Sequence, residues 1–229
     1  MKILSVDTSS SVCSIAILDD LNVLYECSNN DNLTHSQNLM PMIDEAFKKS
    51  SLSLEDINLY TCSIGPGSFT GIRIGVSTVK AFVDVYGKPA VGISSLEGLA
   101  YNINSEYVCS IIDAKHDNIY YSLFKKDNNN IYTPLIEHTS SDINSAINNL
   151  LKYNDNMITF IGDGSITYKD SILGIIKNCN FVNNSLNMQN ATSIGKAAYL
   201  KYVNHINVDD LSPLYLKKSQ AEIMLEKKI

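Results

Sequence analysis

No apolar run in this sequence approaches the ~18 residues that a membrane-crossing helix needs; the longest are only a few residues. The five cysteines, Cys13, Cys27, Cys62, Cys109 and Cys179, are odd in number and never spaced Cys-x-x-Cys. That argues against zinc or dithiol chemistry and for free thiols buried as small hydrophobes. Basic runs are missing as well: 18 Lys and Arg face 24 Asp and Glu, a net charge of −6. Nucleic-acid affinity comes largely from neutralised phosphates, so the chain is expected to bind RNA weakly by itself. Met1-Lys2 leads straight into Ile3-Leu4-Ser5-Val6 with no signal-peptide pattern, and the expectation is a cytoplasmic protein with no membrane partner. What remains is 229 residues of ordinary composition, 45% hydrophobic. A chain of that length makes one large or two small domains and buries a core without disulfides or metals.

The chain reads as two similar halves. Ile3 to Asp7 is a short apolar strand ending at an acid; Thr8-Ser9-Ser10-Ser11 turns, Val12 to Leu18 returns, and a third strand follows near Val23 to Cys27. The plan recurs in Tyr107 to Asp113, the turn Ala114-Lys115-His116-Asp117-Asn118, and Ile119 to Phe124. Asp7 and Asp113 stand nearly half the chain apart, which suggests an N-terminal domain over 1–104 and a reduced C-terminal one over 105–229. Between the hairpins, Leu39, Ile43, Ala46 and Phe47 recur at helical spacing within a helix from His35 to Lys49, with Thr34 as its N-cap. Ile72, Val76, Val79, Val83 and Tyr86 mark a second helix, stopped by Gly87. A strand at Pro89 to Ile93 and a helix from Ser95 to Asn102 follow. The second half predicts helices near Ser141 to Lys152, Ser165 to Lys177 and Thr192 to Val203, with a strand at Met157 to Ile161 running into Gly162-Asp163-Gly164. The tail from Glu222 reads as charged and loose.

The glycine-rich string Gly65-Pro66-Gly67-Ser68-Phe69-Thr70-Gly71 joins a strand (Leu59 to Ile64) to a helix start, where free amides and a partial positive charge suit a phosphate. It is not a Walker A loop, because Ile72 follows Gly71 where a lysine is required. The dinucleotide fingerprint would need glycine at Thr70, and a nucleophile elbow would need glycines at Pro66 and Thr70 around Ser68. Two readings stay open, direct phosphate binding and a tight turn that lets helix and strand pack closely. Asp7 and Asp113 could hold a divalent ion or orient water across a cleft, or simply cap the turns that follow them. None of His35, His116, His138 and His205 has a partner at metal-ligand spacing; His35, with Leu39 four residues on, reads as a hydrogen-bonding group at a helix start.

Taken together, Asp7-Thr8-Ser9, Thr34-His35-Ser36-Gln37-Asn38-Leu39, the string Gly65–Gly75 (GPGSFTGIRIG), Asp113-Ala114-Lys115-His116-Asp117 and Pro213-Leu214-Tyr215-Leu216-Lys217 resemble the TsaB (YeaZ) family of bacterial tRNA-modification proteins. The string GPGSFTGIRIG is the most specific of these segments, and residues 125–211 match only loosely. The resemblance implies an α/β fold of duplicated actin-like (ribonuclease H-like) domains around a cleft. It implies a role in making threonylcarbamoyladenosine 3′ of the anticodon, in tRNAs that read codons beginning with A. In that fold Asp7, Thr8, Ser9, Asp113 and Lys115 would form a nucleotide or phosphate cleft beside the glycine loop of Gly65, Gly67, Ser68, Thr70, Gly71 and Arg73.

The family's catalytic sibling, TsaD, carries two metal-ligand histidines after the glycine-rich helix; Ser95 and Leu99 occupy the matching positions here. The resemblance therefore implies a non-catalytic scaffold that requires no cofactor or metal itself, works with a TsaD-like subunit and a TsaE-like ATPase, meets tRNA through the complex, and forms a homodimer when alone. ATP or ADP at the interface of the complex remains an open alternative. The expected interface comprises His35, Leu39 and Ile43 of one helix and Ile72, Val76, Val79, Val83 and Tyr86 of the next. A charge at Val79 or Val83 is expected to abolish association and spare the fold. The additional apolar Ile74, Ala81, Phe82 and Val85 widen the second helix beyond the face its own sheet can cover. Three competing readings are a small-molecule kinase on the actin-like fold, a peptidase-like enzyme, and a nucleotide-sensing adaptor.

Overall fold

A computed structural model describes residues 1–30, 34–206 and 211–217. The first half runs β1 (Lys2–Asp7), β2 (Cys13–Asp19), β3 (Asn22–Asn29), α1 (His35–Ser50), β4 (Leu59–Gly65), α2 (Phe69–Tyr86), β5 (Ala90–Ser94) and α3 (Ser95–Ala100). The second half runs β6 (Tyr107–Asp113), β7 (Asn118–Lys126), β8 (Tyr132–Asp142), α4 (Ile143–Leu150), β9 (Ile158–Ile161), α5 (Asp163–Thr167), α6 (Lys169–Ile175), β10 (Cys179–Phe181) and α7 (Ala191–Val203). The sheets have orders β3-β2-β1-β4-β5 and β10-β9-β6-β7-β8. With β6 set against β1, these are one order. In each sheet the first three strands are antiparallel and the last two join in parallel. The doubled hairpin seen in the sequence is thus part of a doubled sheet.

Strand alternation assigns the two faces of each sheet to different helices. Leu4, Val6, Ile15 and Ile17 point into a core shared with α1 and α2, whereas Ile3, Ala16 and Leu18 meet Ile194, Ala197 and Ala198 of α7. In the second sheet Cys109, Ile111 and Tyr121 pack on α4 and α6, while Val108, Ile112, Tyr120 and Phe124 pack on Leu96 and Leu99 of α3. The closing helix of each half therefore covers the sheet of the other half. Residues 191–203, which fall within the range 105–229 in sequence, pack on the first sheet. Gly98 is where the two exchanged helices touch: a Cβ there would lie 2.4 Å from Ile194 Cδ1.

Several boundaries differ from the sequence reading. The strand β8 was not expected; its exposure alternates as an edge strand's does, and Pro134 within it reads as a breaker. Ser141 and Asp142 end that strand, with Asp142 Oδ1 accepting from Ser145 N–H at 3.0 Å to cap α4. The expected helix from Ser165 to Lys177 is two short helices divided at Tyr168. The three-residue β10 is too short to leave a periodicity. Thr34 and Gly87 stand at the ends of α1 and α2 as expected, Gly87 at φ 61° with its N–H donating to Val83 O at 2.8 Å. The tail from Glu222 lies outside the described residues. No helix among the described residues is long and apolar enough to cross a membrane.

Candidate functional site

The loops at the ends of β1, β4, β6 and β9 meet where the two halves face each other. They enclose a cleft of about 450 Å³ lined by Ser9, Ser10, Ser11, Gly67, Ser68 and Phe69 from the first half. From the second half come Ile112, Asp113, Ala114, Lys115, Tyr120 and Asp163, and Met188 and Gln189 lie between β10 and α7.

On the first side, the glycine-rich loop and the β1–β2 turn are clamped together. Ser68 N–H donates to Ser9 O at 2.8 Å and Thr8 Oγ1 donates to Gly71 O at 2.7 Å. A Cβ at Gly67 would lie 2.1 Å from Ser9 O, and one at Gly71 would lie 2.0 Å from Thr8 O. One turn further along α2, a Cβ at Gly75 would lie 2.5 Å from Thr8 Oγ1. These glycines let the helix start lie directly on the backbone of the turn. Close packing accounts for their spacing; within the first turn Gly71 N–H donates to Ser68 Oγ at 3.2 Å and Ile72 N–H to Ser68 O at 2.9 Å. His35 braces the same turn from the other flank, with Nε2 2.8 Å from Ser10 O.

Asp7 lies beneath this turn and does not line the cleft. It is 1% exposed, and its Oδ1 accepts from Ser9 N–H (2.9 Å) and Ser9 Oγ–H (2.7 Å). Its Oδ2 is buried and meets no hydrogen-bond donor among the described residues. Burial pushes the carboxyl up to about 6, against the opposing pull of the Ser9 hydrogen bonds and the charge of His35.

The second side is built differently. Asp113 accepts from Lys115 N–H and from Lys115 Nζ, both at 2.9 Å. Burial works to raise the Asp113 carboxyl, but these bonds and the lysine charge outweigh it and leave it below its ordinary value. Lys115, His116 and Asp117 are all left-handed, with φ of 60°, 55° and 57°, so this turn does not copy the first hairpin's. Asp163, at the start of α5, accepts from Asp113 N–H at 3.0 Å and Gly164 N–H at 2.9 Å; burial raises its carboxyl. Gly162 and Gly164 pack on β6, where added Cβ atoms would lie 2.1 Å from Ile111 O and 2.6 Å from Ile111 Cγ2.

Of the residues expected at a cleft, Ser9, Gly67, Ser68, Asp113 and Lys115 line it. Asp7, Thr8, Gly65, Thr70, Gly71 and Arg73 do not. Thr8 and Gly71 are buried in the clamp, and Arg73 Nε donates to Tyr215 OH at 2.8 Å. Phe69, Tyr120, Asp163, Met188 and Gln189 were missed; only Asp163, between two glycines after a strand, carried a readable signal.

The expected helix interface needs correction. Leu39, Ile43, Ile72, Val76 and Val79 are 1%, 2%, 0%, 4% and 0% exposed, in the core between α1, α2 and their own sheet. Val83 and Tyr86 are half-buried against the same core. The stripe is what the sheet holds, so a charge at Val79 would enter the core instead of testing a partner. The outward apolar positions are Met40 (50% exposed), Ala81 and Val85 (74%). Phe82, also expected to need a partner, is buried in the first-half core.

A family model described as TsaD, tRNA N6-adenosine threonylcarbamoyltransferase, matches residues 30–225. The chain is similar to the tRNA threonylcarbamoyladenosine biosynthesis protein TsaB of Escherichia coli, 32% identical over 58% of each chain. It is 28% identical to the protein of the same name from Bacillus subtilis, over 97% of this chain and 96% of that one. In fold it is similar to YeaZ from Pseudomonas aeruginosa, with TM-score 0.75, 20% identity and coverage of 94% of this chain and 99% of that one. More distantly it is similar to a ROK hexokinase from Thermus thermophilus, with TM-score 0.50, 9% identity and coverage of 88% and 100%. The doubled sheet with exchanged helices is thus the actin-like α/β fold. With that fold, and with 30% identity to the TsaB of Buchnera aphidicola subsp. Schizaphis graminum over 71% of this chain and 78% of that one, the chain belongs to the TsaB (YeaZ) family of tRNA threonylcarbamoyladenosine biosynthesis proteins.

Proposed function

We infer that the chain is a non-catalytic subunit of the tRNA threonylcarbamoyl-transfer machinery, a scaffold that supports a TsaD-like catalytic partner. The observation that carries this reading is the state of Ser95 and Leu99, which stand where the resemblance to the catalytic sibling would place metal-ligand histidines. Ser95 is fully buried, and its Oγ lies 2.8 Å from Ser63 Oγ. Leu99 is 1% exposed in the core that α3 forms with the second sheet. A hydroxyl tied to another hydroxyl and an alkyl group inside a core offer a metal no ligand. On this reading the chain needs no cofactor of its own, and tRNA and the TsaE-like ATPase are met through the complex.

A scaffold works through its surface, and the outward flank of α1 and α2 around Met40, Ala81 and Val85 is where the partner docks, as does a second copy when the partner is missing. The experiment is to mix the purified chain with the TsaD-like protein of the same organism and measure mass by light scattering. tRNA modification is then assayed with the full set of proteins. A heterodimer replacing a homodimer, and modification that depends on this chain, support the reading. No association, or modification that proceeds equally well without the chain, overturns it.

A further inference from the structure

Residues 211–217 follow α7 at a distance and form no helix or strand, yet side chains along the segment are engaged on both halves of the molecule. At its start, Leu211 is 6% exposed in the first-half core. Leu214 N–H donates to Ile64 O at 2.7 Å, and Leu214 O comes so close to Gly65 that a Cβ there would lie 2.8 Å from it. Tyr215 stacks on Phe69 with ring centroids 4.6 Å apart and planes inclined by 10°. Arg73 adds its hydrogen bond to the Tyr215 hydroxyl and sits 5.6 Å from the ring centroid. The next two residues belong to the other half. Leu216 packs against the core of α3, β6 and β7, and Lys217 Nζ lies 5.5 Å from the centre of the Tyr120 ring. The ammonium also feels the charge of Asp113. Phe69, Tyr120 and Asp113 all line the cleft, so the segment passes from one wall to the other.

We propose that residues 211–217 are a strap that holds the two lobes together across the cleft, with Tyr215 as the clasp on the first lobe and Leu216 and Lys217 as the clasp on the second. Among the described residues the chain crosses between the halves at 95–106 and 182–190; the strap adds a tie between the β4–α2 loop and the β6–β7 hairpin. Because Phe69 and Arg73 belong to the first turns of α2, the strap also makes the width of the cleft depend on where that helix start sits. The inference does not depend on the tRNA-modification reading and is tested without it.

The test is amide hydrogen exchange by mass spectrometry on the full chain, comparing wild type with Tyr215→Ala, Tyr215→Phe and Lys217→Ala. An aromatic stack of this kind shifts a local opening equilibrium by about tenfold. Tyr215→Ala is therefore expected to speed exchange about tenfold both in 67–73 and, across the cleft, in 112–120, while β1 and β4 stay protected. Tyr215→Phe keeps the stack and is expected to exchange nearly as wild type. Lys217→Ala loosens only the far clasp and speeds 112–120 alone; it also keeps the question open to measurement if Tyr215→Ala fails to fold. Acceleration confined to 67–73 in Tyr215→Ala, or unchanged exchange of 112–120 in Lys217→Ala, overturns the strap.

Discussion

Asp7→Asn should make the protein more stable at neutral pH, an unusual direction for a change at a buried polar group. The carboxyl is raised from 3.8 to about 6, chiefly by burial, so the folded chain holds the Asp7 proton more tightly than the unfolded chain does. Stability is then greatest below the unfolded value and falls as pH rises between about 4 and 6, after which the loss is constant. A shift of about two units amounts to about 3 kcal/mol. Asparagine keeps an oxygen to accept both Ser9 bonds and removes the charge. Its amide N–H group takes the place of Oδ2 and lacks a partner, as the protonated acid's hydroxyl would, so the gain at pH 7 should be about 2 kcal/mol. Denaturant unfolding of both proteins from pH 4 to 8 measures this directly. In the difference between the two curves the titrating groups that do not interact with Asp7 cancel. The expected difference is small at pH 4, grows through pH 6 and is flat above it. A pH-independent difference, or a variant less stable at pH 7, would refute the reasoning and show that Oδ2 has a partner in solution.

Gly71→Ala places a methyl 2.0 Å from the Thr8 carbonyl and should destabilise the chain by about 1–3 kcal/mol, read as a lowered Tm; an unchanged Tm would deny the clamp. Val79→Asp buries a charge in the core and should leave no folded protein, whereas Val85→Asp should keep the wild-type circular dichroism and lose binding to the TsaD-like partner. Retained binding by folded Val85→Asp would remove this flank from the interface. Ser95→Ala strands the Ser63 hydroxyl in the core at a cost of about 1–3 kcal/mol, and adding Ser63→Ala should recover most of it. Strictly additive losses in that pair would mean the two hydroxyls do not depend on each other.

The sequence was most legible where a physical rule acts within a few residues. Short apolar runs marked β1, β2, β6 and β7, because each of these strands is covered on both faces and can carry few polar side chains. Helical spacing placed α1 and α2, and the same stripe then misled, because apolar spacing reports burial without naming what does the burying. Ile72, Val76 and Val79 are spent on their own sheet; the face left outward is marked by what interrupts the stripe, Ala81 and Val85 among Arg73, Ser77, Lys80 and Asp84. The strand β8 was hidden for the opposite reason: an edge strand has one open side and tolerates the polar residues and the proline that make it read as loop.

Duplication itself was visible, but not how the copies diverged. Two hairpins that end in an acid look alike in sequence, yet Asp7 is sealed under a turn clamped by Gly67, Gly71 and Gly75, while Asp113 faces a cleft and is held by Lys115. The difference comes from residues remote in sequence. The first turn is covered by the start of α2 and by His35, whereas the second has Asp163 at the start of a five-residue helix. The glycines that looked suited to a phosphate bring a helix start onto a carbonyl. A glycine-rich junction between a strand and a helix thus has two physical uses, approach by a ligand or approach by the chain itself. The spacing is the same for both; only the atom found where the Cβ would be tells them apart. Here those atoms are Ser9 O, Thr8 O and Thr8 Oγ1, so at Gly67, Gly71 and Gly75 it is the chain itself that approaches.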